Sequence, residues 1–217
     1  RCGFVAILGA PNVGKSTLLN RLVGTKVSIV SPKVQTTRRR VLGITIRDRA
    51  QLVFVDTPGI FAPRKRLDRA MVDAALAGGS DSDVAVVVLD AQRGLDGRSR
   101  LVFERLAEVR RHRLLVVNKI DRVKPPQLLP IIEQANAALG FDATFLVSAA
   151  TGDGCEALLD ALPARLPEGP WLFPEDQLSD LSDRALAAEI TREHLFRQLE
   201  EELPYNLTVE TEAWAEA

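Results

Sequence analysis

The sequence predicts an α/β fold, with a doubly wound and mainly parallel sheet between layers of helices. Short apolar runs without polar alternation are typical of strands covered on both faces, and they occur at residues 5–8, 52–55, 84–89, 114–117 and, more weakly, 143–147. Stretches with helical periodicity lie between these runs. Strands that alternate with helices favour a parallel sheet, in which ligand-binding loops collect at the carboxyl ends of the strands.

The other predicted elements complete this fold. Residues 41–47 alternate more between apolar and polar side chains, which predicts a strand at the edge of the sheet. The predicted helices cover residues 15–22, 67–77, 98–109, 128–139 and 155–162. The loops that follow the buried strands are therefore where we expect the chemistry of the protein.

The composition limits the class of protein. With 46% hydrophobic residues the chain can bury a substantial core, and its net charge of −1 argues against nucleic-acid binding over the whole surface. Two cysteines, Cys2 and Cys155, are too few for a disulfide framework or a metal cluster. No apolar run reaches the length of a membrane span. Because the chain begins at Arg1 without a methionine and stops abruptly after Ala217, we expect a segment of a longer protein.

The composition changes after residue 162. Five Pro and Gly residues between positions 163 and 174 predict a linker. Ser182 is a suitable N-cap for a long helix that ends near Leu203, and residues 206–212 then alternate like a strand. The apolar stripe of this helix consists of Leu186, Ile190, Leu195, Phe196 and Leu199. We therefore predict a first domain at residues 1–165, a linker at 166–181 and the start of a second domain at 182–217.

A phosphate-binding pattern lies between the first predicted strand and the first predicted helix. Its residues are Gly9, Ala10, Pro11, Asn12, Val13, Gly14, Lys15, Ser16 and Thr17. Consecutive backbone N–H groups in such a loop can surround a polyphosphate, and the two glycines allow its close approach. Lys15 would contact the outer phosphates, and the hydroxyl of Ser16 would bind Mg²⁺. The pattern predicts nucleotide binding.

A second motif, Asp56-Thr57-Pro58-Gly59, follows the apolar run at 52–55. An aspartate at the end of a strand can hold Mg²⁺ through its water shell, and the N–H of Gly59 can contact a terminal phosphate. Many Ras-like GTPases place a glutamine directly after this motif to orient the attacking water. Ile60 stands there instead, and its side chain forms no hydrogen bond, so we expect slow intrinsic hydrolysis.

A third motif, Asn118-Lys119-Ile120-Asp121, indicates which base is bound. Guanine presents two adjacent donors that the carboxylate of Asp121 can accept together, whereas adenine has no such pair. Asn118 would brace the loop, and the stem of Lys119 would lie over the ring. After the last strand, backbone N–H groups of Ser148, Ala149 and Ala150 could meet the guanine O6.

Residues 33–40 lie between the first helix and the edge strand and predict a switch. A threonine here, Thr36 or Thr37, could complete the Mg²⁺ shell when a third phosphate is present, so that the loop orders and disorders with the nucleotide. The arginines at 38–40 are explained equally well by a solvated loop and by a separate RNA contact.

Together these motifs resemble the translation-factor-like GTPases of the TrmE–Era group, over essentially the whole chain. Residues 173–176 and 202–205 are similar to the segments that, in the Era family, lead into a type II KH domain. The resemblance implies a P-loop GTPase fold followed by the start of a truncated KH domain. It also implies GTP and GDP as ligands, slow GTP hydrolysis, and Mg²⁺ held by Ser16, Thr37 and Asp56. In GTPases of this kind, an asparagine at the position of Asn12 helps to hold a K⁺ ion at the place that an arginine finger would occupy.

The resemblance also implies partners. These are small-subunit ribosomal RNA and the pre-30S particle, bound mainly through the KH domain by a monomeric, cytoplasmic bacterial protein. Peripheral contact with the inner membrane stays an open alternative. A KH domain clamps nucleic acid with a Gly-x-x-Gly loop, and none occurs after the linker, so we expect the chain as printed to lack the main RNA-binding surface.

Two other functions stay open at this point. A GTPase of the same group could act in another RNA- or tRNA-related process, with hydrolysis only as a timer for a binding module. A P-loop kinase or ATPase is a different class of enzyme, and Asp121 argues against it because adenine would leave its carboxylate unpaired.

Overall fold

The computed structural model describes residues 1–31, 40–60, 82–107, 112–199 and 207–214. Within these ranges the strands are β1 (Cys2–Gly9), β2 (Val41–Arg47), β3 (Ala50–Asp56), β4 (Val84–Asp90), β5 (His112–Asn118) and β6 (Ala143–Val147). The α-helices are α1 (Lys15–Val23), α2 (Gly97–Leu106), α3 (Leu128–Ala138), α4 (Cys155–Ala161) and α5 (Asp183–Gln198).

The strands form one sheet in the order β2-β3-β1-β4-β5-β6. Neighbouring strands from β3 to β6 run parallel, and β2 pairs antiparallel with β3 at the edge. The predicted doubly wound, mainly parallel sheet and its edge strand are therefore confirmed. Because Ile7 pairs with Asp56 and Asp90 pairs with Asn118, the carboxyl ends of the central strands lie together at one edge.

The core lies on both sides of the central strands. β4 is buried along its whole length, and so is β5 from Leu114 onward, as expected of uninterrupted apolar runs. Helix α1 packs close to β2 because Gly43 has no side chain there. A Cβ on Gly43 would lie 2.6 Å from Cδ1 of Leu19. The predicted helix at 67–77 lies outside the described residues.

The predicted linker follows a fixed path along the edge of the sheet. The backbone N–H of Ile44 in β2 donates to the carbonyl of Leu178 at 2.9 Å. The buried side chain of Gln51 in β3 accepts hydrogen bonds from the N–H groups of Leu172 and Phe173 and donates to the carbonyl of Phe173 at 2.8 Å. These bonds attach residues 172–178 to β2 and β3.

Helix α5 begins as predicted, because Ser182 accepts a hydrogen bond from the N–H of Ala185. It ends at Gln198, before the predicted end near Leu203, since Leu199 has an extended backbone. The predicted strand at 206–212 is wrong over its described part, because residues 207–214 form no strand. The hydroxyl of Thr211 instead donates to the carbonyl of Arg184, and the guanidinium of Arg184 donates to the carbonyl of Thr211. Thr211 is therefore paired with helix α5 rather than with a strand.

The buried face of α5 is less apolar than predicted. Phe196 is fully buried, but the four other stripe residues are only half-buried, and Arg192 and Glu193 are buried beside Phe196. Glu193 forms ion pairs with Lys26, in the loop after α1, and with Arg197. Pairing within the fold is what allows these charges to be buried.

Candidate nucleotide site

The phosphate-binding loop joins β1 to α1 and depends on its two glycines. Gly9 has φ 154° and Gly14 has φ 100°, conformations that are costly for other residues. A Cβ on Gly9 would lie 2.6 Å from the carbonyl oxygen of Val88, and one on Gly14 would lie 2.3 Å from Nδ2 of Asn118. The loop therefore packs directly on groups at the ends of β4 and β5.

Lys15 is buried inside this loop. Its Nζ donates to the carbonyl oxygens of Gly9 at 3.3 Å and Ala10 at 3.0 Å. Burial lowers the pKa of Lys15 to about 8, against the attraction of the Asp56 carboxylate, which raises it. An anion bound in the loop would raise this pKa again, because a nearby negative charge favours the charged form of the side chain.

Asp56 ends β3 and is buried beside the loop. Its Oδ2 accepts hydrogen bonds from the hydroxyls of Ser16 at 2.7 Å and Ser28 at 2.9 Å. The predicted Mg²⁺ pair, Ser16 and Asp56, thus lies together, and Ser28 joins it although the sequence did not point to it. Hydroxyl and carboxylate oxygens are the hard ligands that Mg²⁺ prefers, so the residues present fit this ion.

The residues after Asp56 pack against the phosphate-binding loop. The hydroxyl of Thr57 donates to the carbonyl of Ile7 at 3.0 Å, so this side chain braces β1. Pro58 is buried. A Cβ on Gly59 would lie 2.9 Å from the nitrogen of Pro11, so only glycine fits here without a shift.

Ile60 lies in the hydrophobic core. Its N–H donates to the carbonyl of Gly9 at 3.1 Å, and its side chain is buried in the core. The isoleucine is therefore placed as a core residue, in line with the prediction that it positions no water. The predicted switch threonines, Thr36 and Thr37, lie outside the described residues.

Asn118 joins three loops at the end of β5. Its Nδ2 donates to the carbonyl of Val13 at 2.9 Å. Its Oδ1 accepts from the N–H groups of Lys119 at 2.8 Å and Ala149 at 3.0 Å. The buried amide therefore holds the phosphate-binding loop, its own loop and the loop after β6 as a unit.

Lys119 lies across the phosphate-binding loop with a positive φ of 67°. Its ammonium donates to the carbonyl of Asn12 at 2.8 Å and to Oδ2 of Asp90 at 2.6 Å. Asp90 ends β4 and is buried. Asp121 is more exposed, and its carboxylate lies 3.7 Å from Nε of Arg122. The fixed lysine and the accessible carboxylate are suited to the face and the edge of a flat base.

The loop after β6 is held from two sides. The N–H of Ser148 donates to the carbonyl of Asp153 at 2.9 Å. From α1, Arg21 donates to the carbonyl oxygens of Ala149 at 3.3 Å and Ala150 at 2.7 Å. The backbone of this loop is thus fixed relative to both α1 and Asn118.

The other predicted residues lie at the same edge of the sheet. Pro11, Asn12 and Thr17 line one cavity together with Lys15, Ser16 and Gly59, whereas the side chains of Ala10 and Val13 are buried. Among the described residues there is no group of three or more His, Cys, Asp or Glu arranged to hold a metal. No helix in the described part of the chain is both long and apolar enough to span a membrane.

Comparison with known proteins assigns the family. A family model described as "50S ribosome-binding GTPase" matches residues 4–119. GTPase Era of Sinorhizobium medicae is 57% identical over 216 residues, which cover all of this chain and 70% of that protein. The chain belongs to the Era family of GTPases. GTPase Era of Brucella melitensis is 56% identical over the same share of both chains.

Solved structures of Era share this fold. A crystal structure of Era with MgGDPNP and nucleotides 1506–1542 of 16S ribosomal RNA has a TM-score of 0.89 and 42% identity, covering 94% of this chain and 70% of that one. An Aquifex aeolicus Era variant bound to GDP·AlF4⁻ has a TM-score of 0.88 and 41% identity over the same shares. The Era-family protein described here is accordingly a GTPase, which binds GTP and hydrolyses it.

Three residues that contact the predicted site residues were missed by sequence reasoning: Arg21, Ser28 and Asp90. Asp90 could have been found, because it follows an apolar run directly, as Asp56 and Asn118 do. No comparable signal marks Arg21 or Ser28, since their partners are distant in sequence. Both act here through contacts that exist only in the folded chain.

Proposed function

We propose that this Era-family GTPase acts in assembly of the small ribosomal subunit and that its nucleotide state times its contact with 16S-type ribosomal RNA. The observation that carries the proposal is the likeness to the Era structure that holds both MgGDPNP and a 16S RNA fragment. The family model's description names the large subunit instead, but it covers only residues 4–119, whereas the Era structure aligns with 94% of the chain.

Phosphate and metal binding are assigned to the loops after β1 and β3. Lys15 would contact the outer phosphates, and backbone N–H groups of residues 9–17 would surround them. Ser16 would bind Mg²⁺ directly and Asp56 through water, with Thr37 added when a third phosphate is present. When bound, the ion neutralises charge on the phosphate oxygens.

Base recognition is assigned to the loops after β5 and β6. Asp121 would accept both guanine donors, and the stem of Lys119 would cover the ring. Backbone N–H groups of Ser148, Ala149 and Ala150 would meet the guanine O6. The hydrogen bonds of Asn118 support this assignment, because they hold the contributing loops in one arrangement.

Hydrolysis is proposed to be slow and to depend on a cation. The buried Ile60 offers no group to orient the attacking water. The negative charge that develops on the phosphates in the transition state must also be stabilised. The side-chain oxygen of Asn12 and phosphate oxygens are suitable ligands for K⁺ at the position of an arginine finger. The carbonyl of Asn12 is already engaged by Lys119, which supports a fixed backbone at this residue.

The RNA-binding part is proposed to continue beyond this chain. The domain boundaries stay predictions: a first domain that ends at residue 165 and a KH domain that begins at residue 182. The pre-30S partner, the monomeric state and the location in the cytoplasm or at the inner membrane stay predictions as well. A role in another RNA- or tRNA-related process is the second candidate, and it predicts no preference for the small subunit.

Two measurements test the proposal. The first compares binding of nucleotides 1506–1542 of 16S RNA by this chain and by a version extended through a complete KH domain. We expect tight binding only by the extended version, and comparable affinity would place the RNA site on the GTPase domain, for example at residues 38–40. The second compares GTP turnover of the extended protein with isolated small and large ribosomal subunits. Equal stimulation by both subunits would contradict a small-subunit role.

A further inference from the structure

Ser28 lies in the segment between α1 and the switch residues, and its hydroxyl is buried against Asp56. We infer that Ser28 is a positioning residue for the Mg²⁺ site, which holds the Asp56 carboxylate in the orientation that receives the water shell of the ion. The inference rests on the proposed assignment of Ser16 and Asp56 to Mg²⁺. Ser28 itself touches neither the ion nor the nucleotide in this assignment.

Two hydroxyl groups converge on a single oxygen of Asp56. Ser16 Oγ lies 2.7 Å and Ser28 Oγ lies 2.9 Å from Oδ2. When Ser16 uses a lone pair to bind a cation, its hydrogen still points at the carboxylate, so both donors serve the metal-bound state. Hydrogen bonds from hydroxyls to a carboxylate are short and directional, so the pair restricts rotation of the Asp56 side chain.

The position of Ser28 is fixed from α1. Asn20 Oδ1 accepts hydrogen bonds from the N–H groups of Val27 at 3.0 Å and Ser28 at 2.9 Å, and Asn20 Nδ2 donates to the carbonyl of Ser28 at 2.7 Å. Asn20 lies one helical turn after Ser16. One helix therefore delivers both hydroxyls to Asp56, Ser16 directly and Ser28 through the side chain of Asn20.

The hydroxyl of Ser28 has a specific role to fill because Asp56 is buried. A buried carboxylate depends on hydrogen-bond donors to stay charged and oriented. A carboxylate that loses one of its hydrogen-bond donors can rotate, and its mean orientation toward the ion becomes less favourable. A merely structural serine would affect nucleotide binding equally with and without Mg²⁺, and this difference separates the two roles.

The test measures release of a fluorescent GDP analogue as a function of free Mg²⁺, and again in excess EDTA. We expect Ser28→Ala to raise the Mg²⁺ concentration at half-maximal retention about tenfold, the effect of one hydrogen bond to a charged group, and to leave release in EDTA within about twofold. Ser28→Thr, which keeps the hydroxyl, should restore the wild-type midpoint. Should Ser28→Ala fail to fold, Ser28→Cys, with a weaker donor, should raise the midpoint in the same direction.

Ser99→Ala is the matched control. Ser99 is also a buried serine whose hydroxyl donates to an aspartate, Asp96, at 2.9 Å, but Asp96 is the N-cap of α2 and is not one of the predicted Mg²⁺ ligands. Its loss should leave the Mg²⁺ midpoint unchanged. An unshifted midpoint in Ser28→Ala, or equal effects in Mg²⁺ and EDTA, would overturn the role of Ser28 alone. A wild-type protein whose GDP release ignores Mg²⁺ would overturn the metal assignment and this inference with it.

Discussion

Replacing Asp90 with alanine should weaken GDP binding and leave the preference for guanine over adenine unchanged. Asp90 Oδ2 lies 2.6 Å from Nζ of Lys119, whose ammonium also donates to the carbonyl of Asn12. In the variant, the ammonium of Lys119 would lose its hydrogen bond to Asp90 and keep the one to the carbonyl of Asn12. Because Asp121 is the residue proposed to select the base, losing the anchor of Lys119 should affect guanine and adenine nucleotides alike.

The geometry of the pair sets the size of the effect. Removing one partner of a fully buried ion pair costs about 3–5 kcal/mol. The Asp90 side chain is buried, but 22% of the Lys119 side chain is accessible to solvent, which screens the charge. We therefore expect the free energy of unfolding without nucleotide to fall by about 2 kcal/mol. We expect the free energy of GDP binding to weaken separately, by about 1.4 kcal/mol, because the stem of Lys119 is held less firmly over the base. This loss would lower GDP affinity about tenfold.

Calorimetric titration with GDP and ADP, together with urea unfolding without nucleotide, measures both effects. Asp142→Ala is the control, since Asp142 Oδ2 also lies 2.9 Å from a basic side chain, at Nδ1 of His112, but on the exposed surface where β5 and β6 begin, at the opposite ends of these strands from the nucleotide motifs. That variant should lose less than about 1 kcal/mol of stability and keep its GDP affinity. The reasoning would be refuted if Asp90→Ala bound GDP as tightly as the wild type does, or if the ratio of GDP to ADP affinity changed in the variant.

Three further predictions concern the same site. GTP and GDP should bind at least about a hundredfold more tightly than ATP, and Asp121→Asn should shift the preference toward xanthine nucleotides; equal binding of ATP by the wild type would contradict the base assignment. Burial lowers the pKa of Lys15 from 10.5 to about 8, so the unfolded chain binds more protons between these values and the free energy of unfolding should rise with pH across that window. In urea unfolding without nucleotide, the Lys15→Met variant should lack this rise. An equal slope of unfolding free energy against pH in the wild type and the variant would contradict the assignment to Lys15. Single-turnover GTP hydrolysis should be faster in K⁺ than in Na⁺ at equal ionic strength, and Asn12→Ala should remove the difference; identical wild-type rates in both salts would exclude the K⁺ site.

The fold was predictable because its signals are local. Apolar runs and helical periodicity placed the six strands and the described helices, and β2, at Val41–Arg47, was predicted to the residue. The tail was not predicted as well. Residues 207–212 alternate like a strand, but alternation makes a strand only where a neighbouring strand offers a ladder, and Thr211 is bonded to Arg184 of α5 instead. The burial of Glu193 was likewise invisible, because it depends on Lys26, which is distant in the chain.

The sequence by itself determined the motifs of the site. Gly9, Gly14 and Lys15 work through spacing and backbone freedom within one short loop, and these are properties of contiguous residues. The tertiary structure decided the pairs that hold the motifs in place. Ser28 reaches Asp56 across 28 positions, which requires the fold to bring the loop after α1 to the end of β3. Asp90 reaches Lys119 across 29 positions, which requires the sheet to bring the ends of β4 and β5 together. A hydrogen bond depends on the distance and direction between two groups in space, and the order of residues along the chain does not specify either.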